Sequence, residues 1–114
     1  MSESARILLI DDEGNIRKTV SMKLKQAGYS VDTAENGKQA IEKAEANFYN
    51  LALIDIRLPD MGGTELLTGL TETTPKMVKI ILTGYPTFDN AVRATNKGAD
   101  AYLIKPVNTN ELLR

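Results

Sequence analysis

The chain has 114 residues, with 14 Lys and Arg against 15 Asp and Glu, and a formal net charge of −1. This length suits one compact domain, and the balanced charge argues against a nucleic-acid-binding module, which usually carries a basic excess. The absence of Cys and His excludes disulfides, thiolate or imidazole metal sites and a histidine-based catalytic triad. Any chemistry must therefore come from carboxylates, hydroxyls, lysines or backbone groups.

The N-terminal third of the sequence predicts a strand, a helix and a second strand. Residues 6–10 (RILLI) are a continuous apolar run, typical of a strand that is buried on both faces. Residues 14–27 carry apolar side chains at helical spacing, and Gly28 then favours the end of a helix. In residues 29–34 apolar and polar side chains alternate, which predicts a half-exposed strand at the edge of a sheet.

The middle of the chain repeats this pattern. Asn36 and Gly37 introduce a second helix, whose apolar face is predicted to consist of Ala40, Ile41, Ala44 and Phe48. Residues 51–54 (LALI) predict a second buried strand, followed by the turn-rich segment RLPDMGG at 57–63. A third helix carrying Leu66, Leu67 and Leu70 is expected next, and Pro75 closes it.

The C-terminal part predicts two more strands and two more helices. Strands are expected at 78–82 (VKIIL) and 101–104 (AYLI), with a helix between them at 87–97 and a shortened final helix from 108. Strand–helix units with short connections predict an α/β domain with a doubly wound parallel sheet. We expect one domain spanning 1–114. Its short last helix suggests a fragment excised from a longer protein, and a naturally short final helix is the alternative.

Nothing in the sequence directs the chain to a membrane or to export. Its apolar runs are far shorter than the roughly 20 residues that span a bilayer. The first residues contain no basic segment followed by an apolar core, so a signal peptide is not predicted. We therefore expect a cytoplasmic protein.

Carboxylates follow two of the predicted strands. Asp11 and Asp12 follow the first strand and Asp55 follows the third, and the carboxyl ends of parallel strands meet at one edge of a sheet. At about 4 Å and an effective dielectric near 20, each pair of carboxylates would repel by about 4 kcal/mol, so the cluster requires a cation or raised pKa values. Oxygen ligands without His or Cys favour Mg²⁺. Taken singly, each Asp could equally be a helix cap or a turn former.

Thr83 and Lys105 follow the fourth and fifth strands. A lysine that faces the acids could pair with a carboxylate at rest and with a phosphoryl oxygen after reaction, and a hydroxyl could donate to the same group. Mg²⁺, an ammonium and a hydroxyl around one carboxylate nucleophile suit phosphoryl transfer. The alternatives are a surface lysine and an ordinary β-branched strand end.

Four motifs follow one another along the chain: DDE at 11–13, LIDIRLPDMGG at 53–63, ILTGY at 81–85 and GADAYLIKP at 98–106. Together they resemble the CheY-like receiver domain of response regulators in two-component signalling. The resemblance implies a flavodoxin-like sheet in the order 2-1-3-4-5. It also implies a phosphorylation-dependent switch, in which Asp55 accepts a phosphoryl group from a sensor histidine kinase or a histidine phosphotransfer protein in a Mg²⁺-dependent reaction.

The resemblance implies a metal site and two flanking residues. Asp12 and Asp55 correspond to direct Mg²⁺ ligands, with the backbone carbonyl of Arg57 as a third. Asp11 corresponds to the acid that orients metal-bound water. Arg57 and Tyr85 stand at positions that vary in the family, and we hypothesise that together they slow hydrolysis of the phosphoryl group.

The resemblance also implies a switch. Thr83 corresponds to the hydroxyl that moves toward the phosphoryl group, and Tyr102 to the aromatic residue that turns inward behind it. Lys105 corresponds to the lysine that contacts the phosphoryl group, and the peptide bond between Lys105 and Pro106 is expected to be cis. The alternative for Tyr102 is an ordinary, partly exposed aromatic residue on the last strand.

The implied protein is a phosphoacceptor that promotes its own phosphoryl transfer and dephosphorylation, and is not otherwise an enzyme. It would control an effector domain or protein that the sequence does not identify, as part of a longer regulator or hybrid kinase. Direct binding of nucleic acid or membrane is not expected. A homodimer through the fourth helix, fifth strand and fifth helix remains open.

Three other protein classes fit the residues less well. A phosphatase of the aspartyl-phosphate type would need a second acid where Arg57 stands, and a cap domain. A nucleotide- or flavin-binding domain would need a glycine-rich motif after the first strand, where the chain reads DDEGN. A receiver-like docking module that is not phosphorylated usually lacks one of the acids, the Thr or the Lys, all of which are present.

Overall fold

The computed structural model describes residues 5–55, 60, 63–74, 76–83 and 99–104, with the backbone alone for Thr64, Thr73, Thr83 and 101–104. These residues form five strands and three helices. The strands are β1 (Arg6–Ile10), β2 (Ser30–Ala34), β3 (Leu51–Asp55), β4 (Val78–Thr83) and β5 (Ala101–Ile104). The helices are α1 (Gly14–Gln26), α2 (Gly37–Ala46) and α3 (Gly63–Thr73).

The five strands form one sheet in the order β2-β1-β3-β4-β5, and every neighbouring pair is parallel. β1 and β3 lie inside the sheet because their apolar runs can be covered on both faces. Their fully buried side chains include Leu8, Leu9, Ile10, Leu53 and Ile54. The predicted strand order and the predicted edge position of β2 are therefore confirmed.

Helices cover both faces of this sheet. On one face, Leu24 of α1 packs in a cluster with Ile7, Leu9 and Leu53. On the other face, α2 and α3 contribute Ala40, Ala44, Leu66, Leu67 and Leu70 to a larger cluster around Leu8 and Ile54. α1 connects β1 to β2 on one side of it, and α2 connects β2 to β3 on the other side of β1. The strand order therefore reverses between β1 and β3.

The predicted helix boundaries have specific chemical causes. Gly28 has a φ of 101°, a left-handed conformation that favours glycine after a helix. At the start of α2, the Asn36 side chain accepts a hydrogen bond from the backbone N–H of Gln39 at 2.9 Å. The Gln39 side chain in turn accepts from the backbone N–H of Glu35, the residue before the cap, at 3.0 Å, so the two side chains fix the backbone on both sides of the helix start.

The prediction that Phe48 belongs to the apolar face of α2 is wrong. The helix ends at Ala46 because the backbone of Asn47 is extended. The N–H of Asn47 makes the last helical hydrogen bond, to the carbonyl of Lys43, and its side chain donates to the same carbonyl. Phe48 consequently lies beyond the helix and is 66% exposed. The aromatic residue buried at this place is its neighbour Tyr49, which is 3% exposed.

Several predicted elements lie outside the described residues. These are the helix at 87–97, the shortened helix from 108, and Pro75. Among the residues that the structure does describe, no helix combines the length and apolar character needed to cross a membrane.

Tyr49 joins the edge strand β2 to the start of β1. Its hydroxyl donates a hydrogen bond of 2.6 Å to a carboxylate oxygen of Asp32. The Arg6 guanidinium lies 5.2 Å from the centre of the Tyr49 ring and 3.6 Å from the Asp32 carboxylate. Burial, and then the neighbouring Asp32 carboxylate, raise the pKa of Tyr49 to about 12.

This raised pKa predicts a loss of stability in alkaline solution. Because the pKa of Tyr49 is higher in the folded protein than the roughly 10 of an unfolded chain, its contribution is fully present below pH 10 and is lost as the pH rises toward about 12. The free energy of unfolding, measured with denaturant between pH 8 and 12, should fall less for Tyr49→Phe than for the wild type. Equal losses in the two proteins would contradict the assignment.

Candidate functional site

Three carboxylates meet at the carboxyl ends of β1 and β3. The paired residues Ile10 and Ile54 lie side by side in these strands, and each is followed directly by an acid, Asp11 or Asp55. One carboxylate oxygen from each of Asp11, Asp12 and Asp55 lies within 4.8 Å of the others. The parallel register therefore brings together the acids that the sequence predicted to converge.

The cluster is buried on one side and open on the other. Asp11 is fully buried and Asp55 is 6% exposed, whereas Asp12 is exposed. Three carboxylates at this separation repel one another, most strongly where water is excluded. Their oxygens are ligands that suit a hard divalent cation such as Mg²⁺, and the exposed side at Asp12 leaves a route by which the ion can enter. The residues present therefore fit the predicted metal.

The main chain of Asp11 is held by its neighbours on both sides. Its N–H donates to the carbonyl of Ala34 at 3.1 Å, which extends the pairing of β1 with β2 beyond the last strand residue. Its carbonyl accepts a 2.7 Å hydrogen bond from the Arg17 guanidinium. One side-chain oxygen accepts from the N–H of Glu13 at 3.0 Å, the Asx-type turn anticipated as an ordinary role for an Asp in a loop. This Asp is thus a turn former as well as a member of the cluster.

Arg17 links the acid cluster to the start of α2. The guanidinium that donates to Asp11 also lies 3.5 Å from the Glu35 carboxylate. Glu35 is largely exposed, so the ion pair itself adds little to stability. The charge-assisted bond to the backbone of Asp11 is the stronger of the two contacts. Neither Arg17 nor Glu35 was singled out from the sequence, because their meeting depends on how α1 and β2 pack.

The strand register places Thr83 at the same edge of the sheet. Asp55 pairs with Leu82, and Thr83 follows as the last residue of β4. Thr83 pairs with Ile104, the last residue of β5, and Tyr102 pairs with Ile81. The side chains of Thr83 and Tyr102 are not described, so their switch roles stay predictions. The other predicted site residues, Arg57, Tyr85, Lys105 and Pro106, lie outside the described residues.

Asp60 makes a contact that the sequence did not predict. It belongs to the segment between β3 and α3, which the sequence predicted only as turn-rich. Its two carboxylate oxygens accept hydrogen bonds from the backbone N–H groups of Gly37 and Lys38, at 2.8 and 2.9 Å. Asp60 is therefore bonded to the first turn of α2.

Comparison with known proteins identifies the family. The family model of the response regulator receiver domain matches residues 7–114. The chain belongs to this family. Response regulator ArlR of Staphylococcus saprophyticus is 34% identical over 108 residues, which are 95% of this chain and 49% of that protein. The chain thus spans about half the length of this curated relative.

Solved structures of receiver domains show the same fold. A CheY-like response regulator receiver domain protein from Methanospirillum hungatei is 45% identical, with a TM-score of 0.93 over 97% of this chain and 89% of that chain. A response regulator protein from Burkholderia pseudomallei, with a phosphorylated aspartic acid, a calcium ion and citrate, is 33% identical. Its TM-score is 0.92, covering 96% of this chain and 65% of that one. The flavodoxin-like receiver fold predicted from the motifs is therefore confirmed.

Proposed function

We propose that this receiver domain is a phosphorylation-dependent switch in which Asp55 accepts a phosphoryl group. The observation that carries the proposal is the convergence of Asp11, Asp12 and Asp55 within 4.8 Å at the ends of β1 and β3. The similar protein from Burkholderia pseudomallei holds a phosphorylated aspartic acid and a divalent cation, the two groups that this cluster suits. The donor is proposed to be the phosphohistidine of a sensor kinase or of a histidine phosphotransfer protein.

The proposed transfer is a substitution at phosphorus. A carboxylate oxygen of Asp55 forms a bond to phosphorus, while the bond from phosphorus to the donor's imidazole nitrogen breaks and its electron pair stays on that nitrogen. A bound Mg²⁺ would supply neutralisation of the negative charge on the carboxylates and the phosphoryl oxygens. Asp12 and Asp55 would hold the ion, and Asp11, fixed by its own hydrogen bonds, would orient its water.

Because Asp55 is buried, its phosphorylation requires nearby cations that neutralise the added negative charge. Its carboxylate is 6% exposed and belongs to a cluster with Asp11 and Asp12, so an added dianionic group is strongly disfavoured unless cations are nearby. We propose that Lys105 supplies a second positive charge and that Thr83 donates a hydrogen bond to the phosphoryl group. Thr83 lies one residue beyond the pairing partner of Asp55, which supports this role.

The output of the switch is proposed to reach an effector through β4 and β5. Movement of the Thr83 hydroxyl toward the phosphoryl group, with Tyr102 turning inward, would stabilise one of two states of this edge of the sheet. The domain would act in the cytoplasm, without direct contact with nucleic acid or membrane. It would promote its own phosphoryl transfer and hydrolysis without processing another substrate, and a homodimer is one form that its output could take.

A stable phosphoryl mimic tests the switch. Beryllofluoride and Mg²⁺ should shift the backbone amide resonances of ¹⁵N-labelled protein around Asp12 and Asp55, and also those of Thr83 and Tyr102. In Thr83→Ala the shifts near the acids should persist, whereas the shift at Tyr102 should fall by at least half. Wild-type shifts confined to the acid cluster would show binding without a switch and would contradict this part of the proposal.

A further inference from the structure

We propose that Asp60 is a positioning residue for the phosphoacceptor site, which holds the segment after Asp55 against the first turn of α2. This inference rests on the proposed function, because it concerns the geometry in which Asp55 meets a cation and a phosphoryl group. The central observation is the pair of hydrogen bonds from Gly37 and Lys38 to the two oxygens of the Asp60 carboxylate.

These two bonds are of a strong type. Each joins an ionised acceptor to a backbone donor, and such bonds are about twice as strong as those between neutral groups. The donors are the first N–H groups of α2, which have no partner inside the helix, and the positive end of the helix dipole favours a carboxylate there. The partners are 22 and 23 residues apart in sequence, so the contact joins two distant parts of the chain.

Asp60 does not duplicate the cap of this helix. Asn36 already accepts from the backbone N–H of Gln39, and the Gln39 side chain accepts from that of Glu35. The Asp60 carboxylate accepts from two different backbone N–H groups, those of Gly37 and Lys38. Asn36 therefore stabilises α2 from within its own segment, whereas Asp60 attaches the segment that begins at Asp55.

The start of α2, together with Glu35 just before its cap, is consequently connected to residues on both sides of the acid cluster. On one side Asp60 lies five residues after Asp55, a stretch that spans at most about 18 Å when fully extended. On the other side Glu35 contacts Arg17, whose guanidinium donates to the carbonyl of Asp11. Loss of the Asp60 carboxylate would remove its two hydrogen bonds to α2, whereas the hydrogen bond between Arg17 and Asp11 would remain.

The test compares Asp60→Ala with Asn36→Ala. Both changes remove hydrogen bonds from the same end of α2, but only Asp60 lies in the loop that follows Asp55. Titration with Mg²⁺ alone, followed by the amide resonance of Asp12, should give a dissociation constant about ten-fold higher for Asp60→Ala, at the lower end of the effect of supporting residues around metal ligands. The value for Asn36→Ala should stay within two-fold of the wild type.

A graded variant and a second readout complete the test. Asp60→Asn keeps one accepting oxygen and should fall between Asp60→Ala and the wild type, and it replaces the alanine variant should that one not fold. The rate of phosphorylation by acetyl phosphate should fall by a similar factor in Asp60→Ala but not in Asn36→Ala. A Mg²⁺ dissociation constant that is unchanged in the Asp60 variants, or raised equally in Asn36→Ala, would overturn the inference.

Failure of the proposed function would look different. In that case the wild type would bind Mg²⁺ but gain no phosphoryl group, and the comparison of dissociation constants would still decide the role of Asp60. A wild type that does not bind Mg²⁺ at all would overturn both.

Discussion

Replacing Asp12 with alanine is expected to weaken Mg²⁺ binding by about 100-fold. Asp12 is the exposed member of the cluster, so its loss removes a ligand without opening a cavity in the core. Changes in groups that merely support metal ligands weaken binding by about 10- to 100-fold, and removal of a ligand itself should reach at least the upper value. Titration of the purified protein with Mg²⁺, followed by calorimetry or amide resonances, measures this effect.

Glu13→Ala is the matched control for Asp12→Ala. Glu13 is also an exposed acid in the same loop, yet it is outside the cluster and its side chain does not cap α1. We expect this variant to bind Mg²⁺ within about three-fold of the wild type, because a nearby exposed charge has only a weak, screened effect. Equal losses in the two variants would mean that general negative charge, and not ligation by Asp12, holds the ion.

Asp55→Asn is expected to make the metal-free protein more stable, by about 1–4 kcal/mol. The amide has the shape of the carboxylate but carries no charge, so the change relieves repulsion from Asp11 and Asp12 without leaving a cavity. Mg²⁺ at about 100 times its dissociation constant should stabilise the wild type by about 2.7 kcal/mol, and the variant by much less. Denaturant unfolding in EDTA and in Mg²⁺ measures both differences.

The control is the same substitution at Asp32, which should change the free energy of unfolding in the opposite direction. Asp32 accepts a hydrogen bond from Tyr49 and lies beside Arg6, so Asp32→Asn weakens favourable contacts and should lower stability. A metal-free Asp55→Asn protein that is less stable than the wild type would contradict the account of a mutually repelling cluster.

The sequence predicted most of the sheet for a simple physical reason. The runs at 7–10 and 51–54 are apolar without interruption, and runs this short are typical of strands that are covered on both faces. Two such strands inside a parallel sheet bring the residues that follow them to one edge. The convergence of Asp11 and Asp55 was therefore predictable from their positions alone.

The errors and omissions arise where packing decides the outcome. Phe48 continues the helical spacing of α2, but the extended backbone of Asn47 ends the helix first. The contacts of Asp60 with α2 and of Arg17 with Asp11 join residues that belong to different elements. No local pattern marks such pairs, because they depend on how the elements are placed relative to one another.

The central claim is that Asp55 accepts a phosphoryl group with the help of a divalent cation. The most direct measurement is the intact mass of the protein after incubation with acetyl phosphate and Mg²⁺, beside Asp55→Asn and a sample with EDTA. We predict a gain of one phosphoryl group in the wild type with Mg²⁺ and no gain in the other two. A gain in Asp55→Asn, or no gain in a folded wild type that binds Mg²⁺, would contradict the claim.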